Sequence, residues 1–585
     1  MDDKLNRRQL LTGGLAGSLL TSGCGGNYDR ATLTAIDNPT SGIFTHGVAS
    51  GDPMPDRVIL WTRLSLPTPP PGPVELTWQI STRDNFAGGR TGRTLTDAGR
   101  DWTVKVDAAG LTPGENYFYR FGIKDIESGE ITYSPIGRTK TLPTGSVRKA
   151  RFAVVSCANW QWGYFNVYDK IAQDGWYDAV IHLGDYLYEQ AANEYGSADG
   201  ISIGRVHEPA NELVSLADYR TRHRQYKTDS ALQAVHAMCP MILLWDDHET
   251  ANDSWKTGAL NHQVATEGNW ADRKRAALRA YYEWMPVREP AMGRTRAEIY
   301  KSYDWGDLLS LLTLETRLTA RVEQILPEKH AREFSNAEDA AAFKQHVIGA
   351  PDRPMIGEAQ SAFVQGTMAQ SKNSGQKWRL VANQILMANL DTPDMTPHLD
   401  EATISRIEKV WADVRPFVAM SKYRPPLYAD CWQGYPWARE QFYKTVQDAG
   451  VNDMIVLTGD AHEFWANDLY TKAGKKIGVE IGTSSVSAAT MTEYLGDGAK
   501  DFAMLVTKDN KEARFYDPVH RGFIDLQVTS SKITSDFVAI STVLEREYES
   551  FTLASFDIKR DKASVKFSKS RGLGFKEYML YKGWA

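Results

Sequence analysis

Four short apolar runs, each closed by residues that bind metals or move protons, constrain this chain more than any other feature. "RFAVVSCAN" ends on Cys157 and Asn159, and "DAVIHLGDYLY" on Asp185 and Tyr188. "MILLWDDHETAND" ends on Asp246, Asp247, His248, Glu249 and Asn252, and "DMIVLTGDAHEF" on Asp460, His462 and Glu463. Each run is too short for an independent helix and apolar without alternation, the pattern of a strand buried on both faces. "LLSLLTL" and "WRLVANQ" read the same way. Between such runs lie amphipathic stretches such as "FNVYDKIAQDG" and "LADYRTRHRQYKTDSALQAVHAM", and residues 320–375 are rich in Ala, Glu and Gln and expected to be helical. Strands alternating with helices argue for a layered α/β domain. In such sheets the functional loops gather beyond the carboxyl ends of the strands. The four loops therefore converge on one crevice from distant parts of the sequence.

The segment before them has a different texture. "RVILWTRLS", "VELTWQIST", "DWTVKVD" and "NYFYRFGIKD" are short β-branched and aromatic runs separated by turns such as "PTPPPGP" and "LTPGEN". They predict a small antiparallel β-sandwich of immunoglobulin or fibronectin type, ending near "TLPTGSV". The expected organisation is an export signal over 1–30, the sandwich over 38–144 and an α/β catalytic domain over 148–585.

At the N-terminus, Arg7 and Arg8 precede a weakly apolar Gly/Ala/Leu run too short to remain in a bilayer. This pattern resembles a twin-arginine signal, so the twin-arginine export machinery is an expected partner and the expected location is periplasmic or extracellular. Cys24, in "LTSGC", partly resembles a lipoprotein cleavage site and is a candidate lipid anchor. If Cys24 leaves with the signal, Cys157, Cys239 and Cys431 remain, an odd number for an exported protein. At least one is then a thiol without an internal partner, and Cys157 has a use for it. Cys239 and Cys431 could pair. A net charge of −6 over 585 residues gives no basic face for a nucleic-acid partner.

The residue types at the strand ends select the chemistry. Carboxylate, imidazole, amide, thiolate and phenolate are all metal ligands. Gly184 and Gly459 precede Asp185 and Asp460 and allow sharp turns. Phenolate and thiolate together favour a hard, highly charged iron over zinc or magnesium. So many acids cannot share a desolvated pocket unless cations neutralise them. Singly, each residue has a structural reading: a turn aspartate, a core tyrosine, a capping histidine, a small buried cysteine. The ordered set does not. No GxSxG or P-loop pattern is present, which argues against serine hydrolases and nucleoside triphosphatases.

"HLGDYLYE", "WDDHETAND" and "LTGDAHEFWA" resemble the motifs of the PhoD-type alkaline phosphatases, within the calcineurin-like metallophosphoesterases. "FTHGVASGDPMPDRVILWTRLS", "LTPGENYFYRFGI", "DCWQGYPWAR" and "IGTSSVS" extend the likeness from about residue 44 into the last hundred residues. The resemblance implies a site with one Fe(3+) and two Ca(2+) ions. Carried over by motif, iron falls to Cys157, Asp185, Tyr188, Asp460 and His462. Asp185 bridges to calcium, with Asn252, Asp246 and Asp247 completing the calcium shell. His248 takes the role of acid or phosphate contact, and Asp185 and His248 are the expected catalytic residues. In "LETRLTAR", Glu315 stands where the family tends to show Asp.

The expected activity is hydrolysis of small phosphate monoesters by attack of metal-bound hydroxide, with diester side activity. Arg317 and Arg353 are the foremost phosphate clamps, with Arg220, Arg222, Arg224 and Arg439 as further candidates, because a guanidinium suits bidentate oxyanion contact. If these arginines face away from the cluster, a diester becomes equally acceptable. Three other readings stand beside this one: a phosphodiesterase or phospholipase D-like enzyme on the same site, a surface-binding sandwich with a vestigial metal site, and a metal store.

The export reading is tested directly. Replacing Arg7 and Arg8 together by Lys should leave unprocessed precursor in the cytoplasm, assayed by fractionation and immunoblot; unchanged periplasmic yield contradicts it.

Overall fold

In the computed structural model, residues 42–125, 128–333, 336–409, 413–496 and 498–572 are described. The export signal and Cys24 lie outside them. Two large mixed sheets carry the fold. The first has ten strands, in the order Ser564–Gly572, Ser550–Asp561, Ile533–Ile540, Gly522–Thr529, Lys149–Val155, Ala179–His182, Met241–Leu243, Val48–Gly51, Arg57–Arg63 and Thr103–Ala109. The second has seven: Ser302–Trp305, Leu309–Thr313, Trp378–Ala382, Met454–Thr458, Lys476–Gly482, Phe464–Tyr470 and Ala513–Asp517. Each sheet is parallel at its centre and antiparallel towards its edges. The central strands are buried throughout, as their unbroken apolar runs require.

The sheets pack face to face. Phe152 meets Trp305 edge-on at 4.8 Å between ring centroids, and Phe464 stacks on Phe537 at 5.1 Å. The Trp378 indole crosses between sheets to donate to the Thr529 carbonyl at 2.6 Å. Helices cover the outer faces. Asn166–Asp174 and Ser230–Met238 pack together on the first sheet's side. Glu358–Asn373 and Pro436–Asp448 do so on the second, where Val364, Met368, Phe442 and Val446 meet Leu312, Val381 and Val456. Local signals set these ends. Gly175, at φ +81°, stops the first helix, and the Asp229 carboxylate caps Ser230–Met238 by accepting from the Ala231 and Leu232 amides. The stretch from 216 to 238, expected to be helical, is thus two helices.

The N-terminal antiparallel sandwich is present. Val74–Ser81, Arg90–Thr96, Asn116–Lys124, Ile131–Tyr133 and Gly137–Lys140 form one sheet, packed through Leu76, Ile80, Tyr119 and Phe121 on Val58, Leu60 and Val104. Its opposing strands belong to the ten-stranded sheet. Val48–Gly51 runs parallel to Met241–Leu243, with Gly51 opposite Met241. A Cβ on Gly51 would stand 2.5 Å from the Pro286 carbonyl oxygen, so only glycine allows this approach. One sheet therefore runs through both of the segments expected at 38–144 and 148–585.

Polar contacts strengthen the junction. The Trp61 indole donates to the Glu283 carbonyl at 2.9 Å, and the buried Lys105 ammonium donates to the carbonyls of Tyr282 and Val287. Buried Asp52 accepts from the Arg288 amide at 2.6 Å, from Lys301 and from the Tyr303 hydroxyl. Burial pushes the Asp52 carboxyl up, but the Lys301 charge and these hydrogen bonds outweigh it and hold it below the ordinary carboxylate range. A carboxylate depressed in the folded state contributes stability above its unfolded pKa of about 3.9 and loses it as pH falls through the folded value. Asp52→Asn should thus destabilise by roughly 3 kcal/mol at neutral pH, the scale of a broken buried pair. The deficit should shrink below about pH 4. Urea midpoints of both proteins across pH check this, and a deficit that does not depend on pH contradicts it.

Candidate metal centre

The four loops do meet. They project from the carboxyl ends of Lys149–Val155, Ala179–His182 and Met241–Leu243 in one sheet and of Met454–Thr458 in the other. The segment 483–489 stitches the sheets together beneath them: Ser485 bridges Ser156, the Val486 amide donates to the Ser156 carbonyl at 2.9 Å, and the Ser484 hydroxyl donates to the His462 carbonyl at 2.7 Å. Buried Glu249 joins two loops by accepting from the amides of Asp185 (3.1 Å), Tyr186 (2.5 Å) and Asp246 (2.7 Å).

The backbone is strained where the chemistry is. Cys157, Asp185, Asp460 and His462 have φ of +61°, +54°, +61° and +64°. Each costs about 1–2 kcal/mol for a residue with a Cβ, and such conformations persist where packing over-determines them. Gly184, at φ +117°, turns the chain as expected, and its missing Cβ makes room for Asp246, which would otherwise be 2.5 Å away. Gly459 has another role. The turn falls on Asp460 itself, and a Cβ on Gly459 would meet Ser156 at 2.7 Å.

Three overlapping groups result. Ligand atoms of Cys157, Asp185 and His462 lie within 4.8 Å of one another, as do those of Asp185, Asp247 and His248, and those of Asp246, Asp247 and Asp460. Asp185 belongs to the first two and Asp247 to the last two. The Tyr188 hydroxyl donates to Asp185 Oδ2 at 3.2 Å and lies 3.1 Å from His462 Nε2. His462 Nδ1 donates to the Ala489 carbonyl at 2.6 Å. A carbonyl can only accept, so the proton is on Nδ1 and the Nε2 lone pair faces the cluster. Burial draws the His462 pKa down to about 4, which keeps that lone pair free.

These donors fit metal ions. Asp185 Oδ1, Asp246 Oδ2 and Asp247 Oδ1 are buried and accept no hydrogen bond. Burial pushes the carboxyls of Asp185 and Asp246 well above their ordinary range and that of Asp460 up to about 6; burial and the Asp185 charge do the same to the Cys157 thiol. Acids and a thiol at this density stay ionised only beside cations. Arg317 is the guanidinium placed among them. Fully buried, it bonds Asp246, Asp430 and Asp460 and lies 3.5 Å from Asp247. Its loop is anchored by Glu315, which accepts from the amides of Arg317, Leu318 and Thr319.

His248 faces the cleft with its Nδ1 on Glu189 Oε2 at 2.6 Å and its ring 4.1 Å from that of Tyr188. Burial opposes its charge, but Asp247, Glu189 and Asp185 outweigh burial and raise its pKa well above the ordinary value. Glu189 also accepts from the Asn252 amide (2.7 Å) and from Asn261 Nδ2 (3.0 Å). Asp253 donates its amide to Asp247 Oδ2 at 2.6 Å and opens onto the cleft beside Asn252. Glu189, Asp253 and Asp430 are absent from the ligand set carried over by motif. They sit inside "HLGDYLYE", "ETAND" and "DCWQGYPWAR", which was the available signal.

The cleft has a volume of about 720 Å³ and is lined by Asp185, Glu194, Asp247, Asp253 and Asp460 against a single cationic candidate, His248, with tyrosines 195, 428 and 494 at its rim. Neither Arg317 nor Arg353 lines it. Arg353 donates to the Glu323 carbonyl and lies over the Tyr435 ring. Arg220 pairs with Glu283, Arg224 with Asp101, Arg222 donates to the carbonyls of Tyr188 and Glu208, and Arg439 to that of Met387. Cys157, Cys239 and Cys431 are all free and buried, so Cys239 and Cys431 are not joined. The Cys431 thiol instead approaches Asp460 Oδ2 at 3.4 Å.

Comparison with known proteins gives the family. Residues 152–537 match the family model of the PhoD-like phosphatases, and residues 31–143 that of the PhoD-like phosphatase N-terminal domain. Alkaline phosphatase D of Bacillus subtilis (strain 168) is 30% identical over 587 residues, spanning 97% of this chain and 89% of that protein. A solved structure titled "Structure of PhoD" superposes with a TM-score of 0.72 at 28% identity, covering 91% of this chain and 94% of the other. The chain belongs to the PhoD-like phosphatase family.

Proposed function

We propose that the chain is an exported, metal-dependent phosphoesterase that hydrolyses phosphate monoesters and accepts diesters in the same cleft. The observation that carries the reading is the charge of the cleft: five carboxylates line it, and no arginine or lysine does among the described residues. A phosphate ester is repelled by such a wall unless metal ions reverse its sign. Fe(3+) at Cys157, Asp185, Tyr188, Asp460 and His462, and Ca(2+) at Asp185, Asp246, Asp247 and Asn252, would acidify water and neutralise the phosphoryl oxygens.

The protein's own groups do the rest. His462 is fixed in one tautomer by Ala489. His248 is oriented by Glu189 and carries a proton towards the cleft, placed to meet a phosphoryl or leaving oxygen. Overall, a water oxygen joins phosphorus, the ester P–O bond breaks, and the departing alcohol takes up a proton. None of the arginine clamps that would favour a dianionic monoester lines the cleft, Arg317 being held by the cluster's own acids and the others engaged away from it, so the preference for monoesters rests on the metal charge alone and diesters stand close to parity. A vestigial site would not retain this many unpaired buried acids, nor a metal store an open cleft.

Asp185→Asn tests the reading because Asp185 links two of the ligand groups. Elemental analysis should find iron and calcium in the exported wild type and reduced metal in the variant. Its kcat/KM on aryl phosphates should fall by at least about a hundredfold, the scale of losing a main electrostatic contribution. A metal-free, fully active wild type refutes the proposal.

Tyr188→Phe keeps the buried ring and removes the oxygen between Asp185 and His462. The wild type should absorb visible light by phenolate- or thiolate-to-iron charge transfer, and the variant should show a shifted or weaker band at an unchanged melting temperature. A colourless wild type removes iron from the assignment.

A further inference from the structure

A second cavity adjoins the metal cleft. It measures about 460 Å³, within the range of ligand pockets, and its walls are mostly apolar: Met395, Leu399, Ile407, Phe417, Leu495 and Phe502 among them. Asp253, Tyr428, Asp460 and Tyr494 line both spaces, so the groove opens where the cluster does. The walls are built, not left over. The helix Met491–Leu495 begins in a capping box between Thr490 and Glu493, and the Glu493 carboxylate is held by Arg521 at 2.7 Å. Tyr494 and Leu495 are thereby fixed a few residues beyond Ala489, whose carbonyl orients His462. One short segment thus sets both a candidate metal ligand and a wall of the groove.

We propose that this groove is a specificity subsite for the alcohol part of the substrate, taking an uncharged apolar group, aryl or alkyl. The proposal rests on the phosphoesterase reading and names its substrate class. With the phosphoryl group at the cluster, an ester oxygen turned towards Tyr428 and Tyr494 directs its carbon chain into the groove. The charged residues lining the groove are Asp253, Glu328, Asp430 and Asp460, and Asp430 is engaged by Arg317 and Arg321. All are acids, so a chain carrying further negative charge is excluded and a polyol gains nothing from the apolar walls.

Linear alkyl monophosphates from ethyl to octyl provide the test, because lengthening the chain barely changes leaving-group basicity. Each fully buried methylene is worth up to about fourfold in kcat/KM. We expect octyl phosphate to exceed ethyl phosphate by at least about tenfold, read as phosphate release below micellar concentrations. Leu399→Ser and Leu495→Ser, both at half-buried wall positions, should flatten this ratio and leave ethyl phosphate unchanged. Leu399→Trp, which fills the groove instead of opening it, should penalise octyl phosphate alone. If wild type hydrolyses ethyl and octyl phosphate with a ratio below about twofold, the subsite is overturned while the phosphoesterase stands, whatever then occupies the groove. A steep ratio retained in all three variants places the apolar contact elsewhere and overturns it equally. If no ester in the series is hydrolysed, the phosphoesterase reading fails and the subsite falls with it.

Discussion

The structure is organised around the cost of holding several carboxylates in one desolvated volume. Asp185, Asp246, Asp247, Asp253 and Asp460 are brought together from three loops, and the fixed positive charges nearest them are Arg317 and the His248 imidazole. Burial pushes Asp185, Asp246, Asp253 and Asp460 towards their protonated forms, while at Asp247 the charges of Arg317 and His248 outweigh burial and hold it below the ordinary carboxylate range; bound cations would let the whole set act as ligands. The surrounding architecture keeps the acids from relaxing apart. Five residues, Cys157, Asp185, Asp253, Asp460 and His462, are held at positive φ, Glu249 ties two loops by three amides, and Glu315 anchors the loop that carries Arg317. All of these hydrogen bonds but the one from Thr319 are fully buried, where a hydrogen bond to a charged group is strong and its loss costly.

That arrangement explains what could be read from the sequence. An apolar run and the residues directly after it are neighbours in any fold, so a buried strand delivers its loop to the sheet edge and "HLGDYLY", "WDDHETAND" and "LTGDAHEF" disclosed the centre. Partners set by tertiary contact stayed hidden. Arg317 meets Asp430 across 113 residues and Arg220 meets Glu283 across 63, so nothing local told a phosphate clamp from a buried structural cation. Glu189 was not singled out, and the bracing role of Glu249 went unread, for a related reason. A glutamate after a strand has an ordinary surface reading until burial shows it accepting several donors. The sandwich was legible as strands and turns, but the pairing of Gly51 with Met241, which makes its sheet part of the larger one, is a register between distant segments.

The same logic separates the two functional regions in kind. The candidate metal-ligand cluster is assembled from strand ends, the least mobile backbone in an α/β fold, which suits geometry held to fractions of an ångström. The apolar groove is assembled mainly from residues within 326–328, 395–407, 414–430 and 491–495 and from Phe502, in connecting segments and short helices outside the sheets. Connecting segments accept substitution more readily than strands do. On the proposed reading, chemistry and alcohol preference are carried by largely different residues, which meet at Asp253, Tyr428, Asp460 and Tyr494. A change in the groove can alter which alcohol is preferred while the cluster is untouched. On the proposed reading a change in the cluster acts on every ester alike, because Arg317 is shared by Asp246, Asp430 and Asp460 and lies 3.5 Å from Asp247, so replacing one of these acids alters the charge balance of the others.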